Sequence, residues 1–250
     1  MELLLTTFIF LVGFNLLMFV PAFIFKTDKL TDLSYSISFI AAAIFLFLNS
    51  SQNIVHIILL IMVLLWAIRL GTYLFIRINK TGKDSRFDGM REKFWKFIGF
   101  WLLQGISVWV ILLSSTISFG GSEISFSSIH ILGIAVWLIG LLIETVADYQ
   151  KYQFKNNPDN KGKWTNTGLW KRSRHPNYFG EMLVWVGIFI YSSIYSTMPD
   201  ILIAIISPIY IIGLLLFVSG IPPLEKRYDK KYGDDPEYQK YKRDTNLLII

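Results

Sequence analysis

The sequence predicts an all-α polytopic membrane bundle of about seven transmembrane helices followed by short amphipathic C-terminal helices, and three observations predict it. The chain is 53% hydrophobic and 16% aromatic, with a mean hydropathy of +0.48, more apolar side chain than a water-soluble domain carries. Runs of mostly apolar residues, each long enough to span ~30 Å of hydrocarbon, recur near 3–25, 33–48, 54–76, 94–115, 129–147, 177–195 and 200–220. All but Arg69 and Lys96 of the 24 Lys and Arg fall in alternate connections: after the first, third, fifth and seventh runs. The connections 49–53, 116–128 and 192–199 hold none. Cations mark the cytoplasmic side, so the N-terminus is expected outside and the C-terminus in the cytoplasm. Loop placement accounts for the net charge of +6 without a nucleic-acid partner.

The first run starts with Met-Glu-Leu-Leu-Leu, without the basic stretch or cleavage site of a removable signal peptide, and is expected to stay as a membrane helix. In the third run Arg69 lies well inside the apolar stretch. A guanidinium there lines the protein interior or snorkels outward, and its neighbours Trp66 and Tyr73 are aromatics of the interfacial type. Lys96 sits near a helix end, where it can snorkel. The fifth run ends with Glu144, Asp148, Lys151 and Lys155. Their spacing of four, three and four puts them on one helical stripe running from membrane depth into the cytoplasm. Lys151 and Lys155 read as an ordinary solvated helix end, whereas Glu144 lies a turn deeper and needs a partner such as Arg174, Arg69 or a ligand hydroxyl.

A turn-rich polar loop, Asn156 to Thr167, follows and leads directly into Gly168-Leu-Trp-Lys-Arg-Ser-Arg-His-Pro-Asn-Tyr-Phe-Gly-Glu181. Loop and motif together predict a cytoplasmic lid. Pro176 suits the first position of a helix, so Lys171, Arg172, Arg174 and His175 crowd a helix N-terminus, a place that favours phosphate or carboxylate. Asn177 and Glu181, four residues apart, share one face just inside that helix. The tail from Pro222, with Tyr228, Tyr232, Tyr238 and Tyr241 among many charges and a break at Pro236, reads as two short amphipathic helices at the interface, either a solvated, membrane-hugging terminus or a cover over a ligand. With no cysteine and only His56, His130 and His175, disulfide and thiolate chemistry are excluded and the composition argues against a metal site.

Ser173-Arg-His-Pro-Asn-Tyr-Phe-Gly-Glu181, preceded by Thr167-Gly-Leu-Trp170, resembles the C-terminal signature of the steroid 5-alpha-reductase-like membrane proteins, with the bacterial branch, catalogued as a domain of unknown function, as the best match. The likeness extends to Ala147-Asp-Tyr-Gln-Lys151 with Phe154-Lys155, to Trp66-Ala-Ile-Arg-Leu-Gly71 with Asp84-Ser-Arg86, and to Ser219-Gly-Ile-Pro-Pro-Leu-Glu225. Arg-His-Pro alone is shared with isoprenylcysteine and phospholipid methyltransferases of similar architecture. The resemblance implies an NADPH site open to the cytoplasm, a cavity for a flat lipophilic enone, and a place in the bacterial inner membrane. It puts Asp148, Lys155, Arg174, Asn177, Glu181 and Tyr228 on cofactor-binding positions, Lys155 standing where the eukaryotic reductases have Arg. Gly220 and Leu224 stand where those enzymes have an Arg and a His, and Asp32 and Tyr35 are the nearest candidates for their substrate-binding Glu and Tyr.

The expectation is therefore one integral membrane domain over 1–250 whose half from 129 to 250 binds the cofactor. It passes hydride from NADPH to an activated C=C bond of a lipophilic, steroid- or lipid-like substrate drawn from the membrane. Glu144, Asp148, Lys155, Lys171, Arg174, His175, Asn177, Tyr178, Glu181 and Tyr228 are the expected cofactor residues. For the electrophile that meets the enone oxygen the candidates are Tyr35, Arg69 and Tyr73, each able to donate to a developing negative charge. An S-adenosylmethionine-dependent methyltransferase is the alternative and would use Arg174 and His175 with Glu225, Tyr238 and Tyr241; a lipid- or sterol-binding protein without turnover is another. The charge alternation makes a direct prediction: reporter fusions after Ser51 and after Lys83 report opposite sides of the membrane. Two cytoplasmic readings would overturn the topology.

Overall fold

The computed structural model describes residues 2–81, 87–121, 125–193 and 197–249, with only the backbone for 79–81. Lys83, the Asp84-Ser-Arg86 block and the Lys80 side chain lie outside the described residues. The chain is 81% helical. Its helices are α1 (Glu2–Ile24), α2 (Lys29–Leu48), α3 (Ile54–Thr81), α4 (Phe94–Ile111), α5 (Leu113–Gly120), α6 (Ser128–Asn156), α7 (Pro176–Ser192), α8 (Met198–Ala204), α9 (Ile206–Gly213), α10 (Ile221–Tyr232) and α11 (Pro236–Asp244).

Among the described residues six helical stretches are long and apolar enough to cross a membrane, where the sequence predicts about seven. The difference is α7: its 17 residues rise about 25 Å at 1.5 Å each, short of ~30 Å of hydrocarbon. The last predicted run is divided rather than straight. Pro208 cannot donate to the carbonyl four residues back, and α8 gives way to α9 at Ile205. A π-helical turn, Leu214–Val218, then leads toward α10, with Ser219 N donating to Leu214 O at 2.9 Å.

The fold divides into two compact units, Met1–His130 with Tyr191–Ser207, and Ile131–Ile190 with Pro208–Ile250. In the first, apolar side chains such as Ile61, Leu65 and Ile68 stand exposed at the spacing of one helix face, as lipid contact requires. Polar groups turn inward instead. Asn15 of α1 donates to Leu11 O (2.9 Å) and Ser38 Oγ (3.2 Å) of α2, and its carbonyl accepts from Gln104 Nε2 of α4 at 3.0 Å. Gln104 also donates to Ser34 Oγ at 3.0 Å. Side-chain bonds of this kind join helices where apolar contact is shared with lipid. Between α2 and α3, Ser36 Oγ donates to Ala67 O at 2.5 Å, and Gly71 leaves the room that Ser36 occupies.

In the second unit α6 and α7 meet backbone to backbone. A Cβ on Gly140 would stand 2.6 Å from Gly180 O, and one on Gly180 would stand 2.6 Å from Glu144 N. One on Gly187 would strike the Trp137 backbone and stand 2.8 Å from Gly133 O. The glycines recur every seven residues on both helices, two turns apart, so one seam faces the other.

Gly180→Ala is expected to destabilise the protein by about 1–3 kcal/mol, because backbone must move to admit the methyl group. Gly13→Ala, whose Cβ would meet nothing within 4 Å, serves as the matched control with no loss. Thermal melts in detergent compare the two, and equal melting temperatures would mean that the seam tolerates widening.

Candidate functional site

The motif that dominates the sequence is held from both sides. Gly168, at φ +58°, takes a left-handed turn open to glycine and leaves room for the Gln150 amide, whose Oε1 accepts from Leu169 N at 2.9 Å. Buried Trp170 donates through Nε1 to Ala147 O at 2.9 Å, and Lys151 Nζ lies 4.7 Å from its ring centroid. Loop and α6 are thereby fastened together. On the other side the chain end runs parallel to Ser173 in a single bridge with Asn246. Arg174 N donates to Asn246 O at 2.9 Å and Ser173 Oγ to Leu248 O at 2.9 Å.

Between these anchors a carboxylate gathers the cations. Glu225 of α10 accepts from His175 Nε2 through Oε1 at 2.8 Å, while its Oε2 lies 2.9 Å from Arg174 Nη1 and 3.5 Å from Lys242 Nζ. Lys242 also reaches Asp229 at 2.6 Å. Two lasting positive and two negative charges balance, so a proton on His175 would be an uncompensated buried charge. Burial accordingly lowers the His175 pKa below its usual value, and the bond to Glu225 only opposes this. Because a carboxylate only accepts, the neutral ring carries its hydrogen on Nε2.

Beside the cluster is a small cleft lined by Trp164, Thr165, Trp170, Arg174, Glu225, Tyr228, Tyr238 and Tyr241. Its aromatic wall is one packed group: Trp164 meets Tyr232 and Tyr238 at 5.6 and 5.2 Å between ring centroids. Tyr241 donates to Trp170 O at 2.8 Å. Burial, and for Tyr238 also the Asp229 carboxylate, raises the pKa of Tyr238 and Tyr241 well above the usual phenol value, so both remain neutral. Several donors bordering the cleft are unspent. Trp164 Nε1 and Thr165 Oγ1 have no hydrogen-bond partner among the described residues, on residues only 8% and 4% exposed. Arg174 Nε and Nη1 make no directed hydrogen bond, although Nη1 is within ion-pair range of Glu225.

Of the cofactor residues expected from sequence, Arg174 and Tyr228 line the cleft, together with Glu225, Tyr238 and Tyr241 of the methyltransferase alternative, and His175 adjoins it through Glu225. Tyr178 stacks on His175, 5.8 Å between centroids. Asn177 Nδ2 donates to Asp148 Oδ1 at 3.2 Å, which joins α7 to α6. Glu144 and Asp148 are 2% and 5% exposed, and Glu181 is half-buried on α7. Lys155 donates to Lys163 O at 2.8 Å, next to Trp164, and Lys171 is exposed on the short 3-10 turn Gly168–Lys171. Tyr35, Arg69 and Tyr73 belong to the first unit. There the Arg69 guanidinium lies 5.9 Å from the Tyr73 ring centroid, and Tyr35 packs edge-on against Phe39 at 5.1 Å.

The tail forms the two helices that the sequence predicts, α10 and α11, and these fold onto Trp164 of the polar loop. Trp164, Thr165 and Lys242 were not singled out. A tryptophan within a loop of turn formers is a signal for an anchor, and tyrosines spaced four and three apart are a signal for a common face.

His175 makes stability pH-dependent. Its folded pKa lies below the unfolded 6.5, so the unfolded chain takes up the proton first and stability is lost as pH falls below 6.5 toward the folded value, by at most about 1.4 kcal/mol per pH unit. His175→Gln keeps a donor for Glu225 and does not titrate. Its melting temperature is expected to fall less than that of the wild type between pH 7.5 and 5.5, and parallel curves would assign the titration elsewhere.

Residues 18–245 match the family described as "Protein of unknown function (DUF1295)". Over 184 residues the chain is 26% identical to an "Uncharacterized protein" of Schizosaccharomyces pombe, covering 61% of this chain and 53% of that protein. Over 65 residues it is 37% identical to the "Probable O-methyltransferase ustE" of Ustilaginoidea virens, covering 26% of this chain and 23% of that one. The chain thus spans about half the length of the first relative and about a quarter of the second. No solved structure matches. The family match takes in the helices of the first unit from α1 onward and every residue of the cleft from Trp164 to Tyr241, and on that ground the chain belongs to the DUF1295 family.

Proposed function

We propose that the protein is a membrane reductase that binds NADPH in its second unit, at the cytoplasmic side, and reduces an activated C=C bond of a lipophilic substrate. The observation that carries this reading is that polar side chains continue past the cleft: Asn177 and Asp148 are hydrogen-bonded across α7 and α6, and Glu144 is buried one turn further along α6. An extended cofactor with a charged end and an amide end calls for such a path. The cleft is lined by one cation and by indole, phenol and hydroxyl groups, and opens further only as a ligand enters. Unspent donors on Trp164, Thr165 and Arg174 suit acceptor-rich groups such as phosphate and ribose.

In this reading Arg174 binds a phosphate, with Lys171 and Lys155 as further cations near the loop. Asn177 and Glu181 orient an amide, donor to acceptor and acceptor to donor, and Tyr178 holds the His175 ring in place. NADPH, when bound, supplies the hydride. Apolar membrane helices exclude water from the substrate.

A second reading, transfer of a methyl group from S-adenosylmethionine, is favoured by two observations. Glu225 and the aromatic wall of Trp164, Tyr228, Tyr238 and Tyr241 suit a cationic ligand, and one relative is named as an O-methyltransferase. Calorimetry on the purified protein separates the two, since NADPH is expected to bind and S-adenosylmethionine is not. Arg174→Ala is expected to weaken NADPH binding ten- to a hundredfold, as loss of charge-assisted bonds worth about 1.5–3 kcal/mol implies, and to lower the melting temperature as well because Glu225 loses a partner, so affinity is read at a temperature where the variant is folded. Undiminished affinity in that variant would remove the phosphate from Arg174, and binding of S-adenosylmethionine alone would favour the methyltransferase.

A further inference from the structure

We infer that Glu225 is a built-in counter-anion that holds the place of a ligand's anionic group at Arg174 and must be displaced when the ligand binds. This rests on the reading of the cleft as a site for an anionic cofactor, and it concerns a residue that reading leaves without a task. Glu225 meets three donors, Arg174 Nη1 at 2.9 Å, His175 Nε2 at 2.8 Å and Lys242 Nζ at 3.5 Å. Two of them have other means of support. Lys242 is held by Asp229 at 2.6 Å, and His175 is neutral when its bond is broken, so its loss strands no charge.

Arg174 is the exception. Its Nε and Nη1 are themselves buried and make no directed hydrogen bond, its side chain is 14% exposed against 17% for Glu225, and both residues line the cleft. Thr165 Oγ1 and Trp164 Nε1, also without hydrogen-bond partners among the described residues, border the same space. A carboxylate that neutralises the guanidinium without using its directed donors is a weaker partner than a phosphate that uses them. The contact keeps the ligand-free cluster neutral and yields to a group that makes more bonds. It also gives the site a preference: a ligand must bring enough negative charge to replace Glu225.

The sign of a mutational effect tests this. Removing a residue that grips the ligand weakens binding, whereas removing a competitor strengthens it. Full-length protein in detergent is titrated with NADPH by calorimetry, with Glu225→Gln expected to bind about five- to tenfold more tightly than wild type. Asp229→Asn removes the same charge from the same helix but leaves Arg174 paired, and its affinity is expected to stay within about twofold. If Glu225→Gln does not fold, Glu225→Asp keeps the charge but shortens the reach, and several-fold tighter binding is expected. Equal or weaker binding in the Glu225 variants overturns the counter-anion role while leaving the NADPH reading in place, as does equal tightening by Asp229→Asn. A wild type that fails to bind NADPH defeats both.

Discussion

The contact of backbone with backbone between α6 and α7 is the constraint from which the second unit follows. At Gly140, Gly180 and Gly187 no side chain separates the two helices, so the groups just beyond the seam come within bonding range. Asn177 reaches Asp148 for this reason. The same closeness gives the short helix α7 a fixed start, where Pro176 follows the two residues that face Glu225. Helix spacing thus decides which charges can meet, and bulkier residues in the seam would separate them.

Charge balance then shapes the site. Arg174 and Lys242 are offset by Glu225 and Asp229, and His175, buried beside them, gains nothing from a proton. A neutral cluster costs little to keep out of water, whereas one charge too many costs several kcal/mol. That economy lets a guanidinium wait at the wall of a cleft with donors still available.

One polar network of the first unit is arranged differently. Asn15 uses both its amide donor and its carbonyl, and Gln104 bonds to two neighbours, so this network ties α1, α2 and α4 together and is closed to a ligand. At the cleft, Trp164, Thr165 and Arg174 keep donors in hand. A closed network reads as structure; an open one, at a cleft, reads as a place for something to bind.

Composition and periodicity were enough for the fold class, because a bilayer demands helices of a set length and forces polar backbone to be satisfied within each one. The helix start at Pro176, the stripe from Glu144 to Lys155 and the concentration of cations before α7 are local facts of spacing, and were legible for that reason. Which residue answers Arg174 was not, since Glu225 lies about fifty positions away and its role depends on how α10 comes back over the loop. Likewise the tyrosines of α10 and α11 read as interfacial until Trp164 is seen between them. The shortness of α7 and the breaks at Ile205 and Leu214 also escaped the hydropathy pattern, which measures apolar length and not where hydrogen bonds end. Spacing along a helix is written in the chain, but the pairing of distant side chains is decided only when the helices pack and each buried charge finds the partner that the packing leaves within reach.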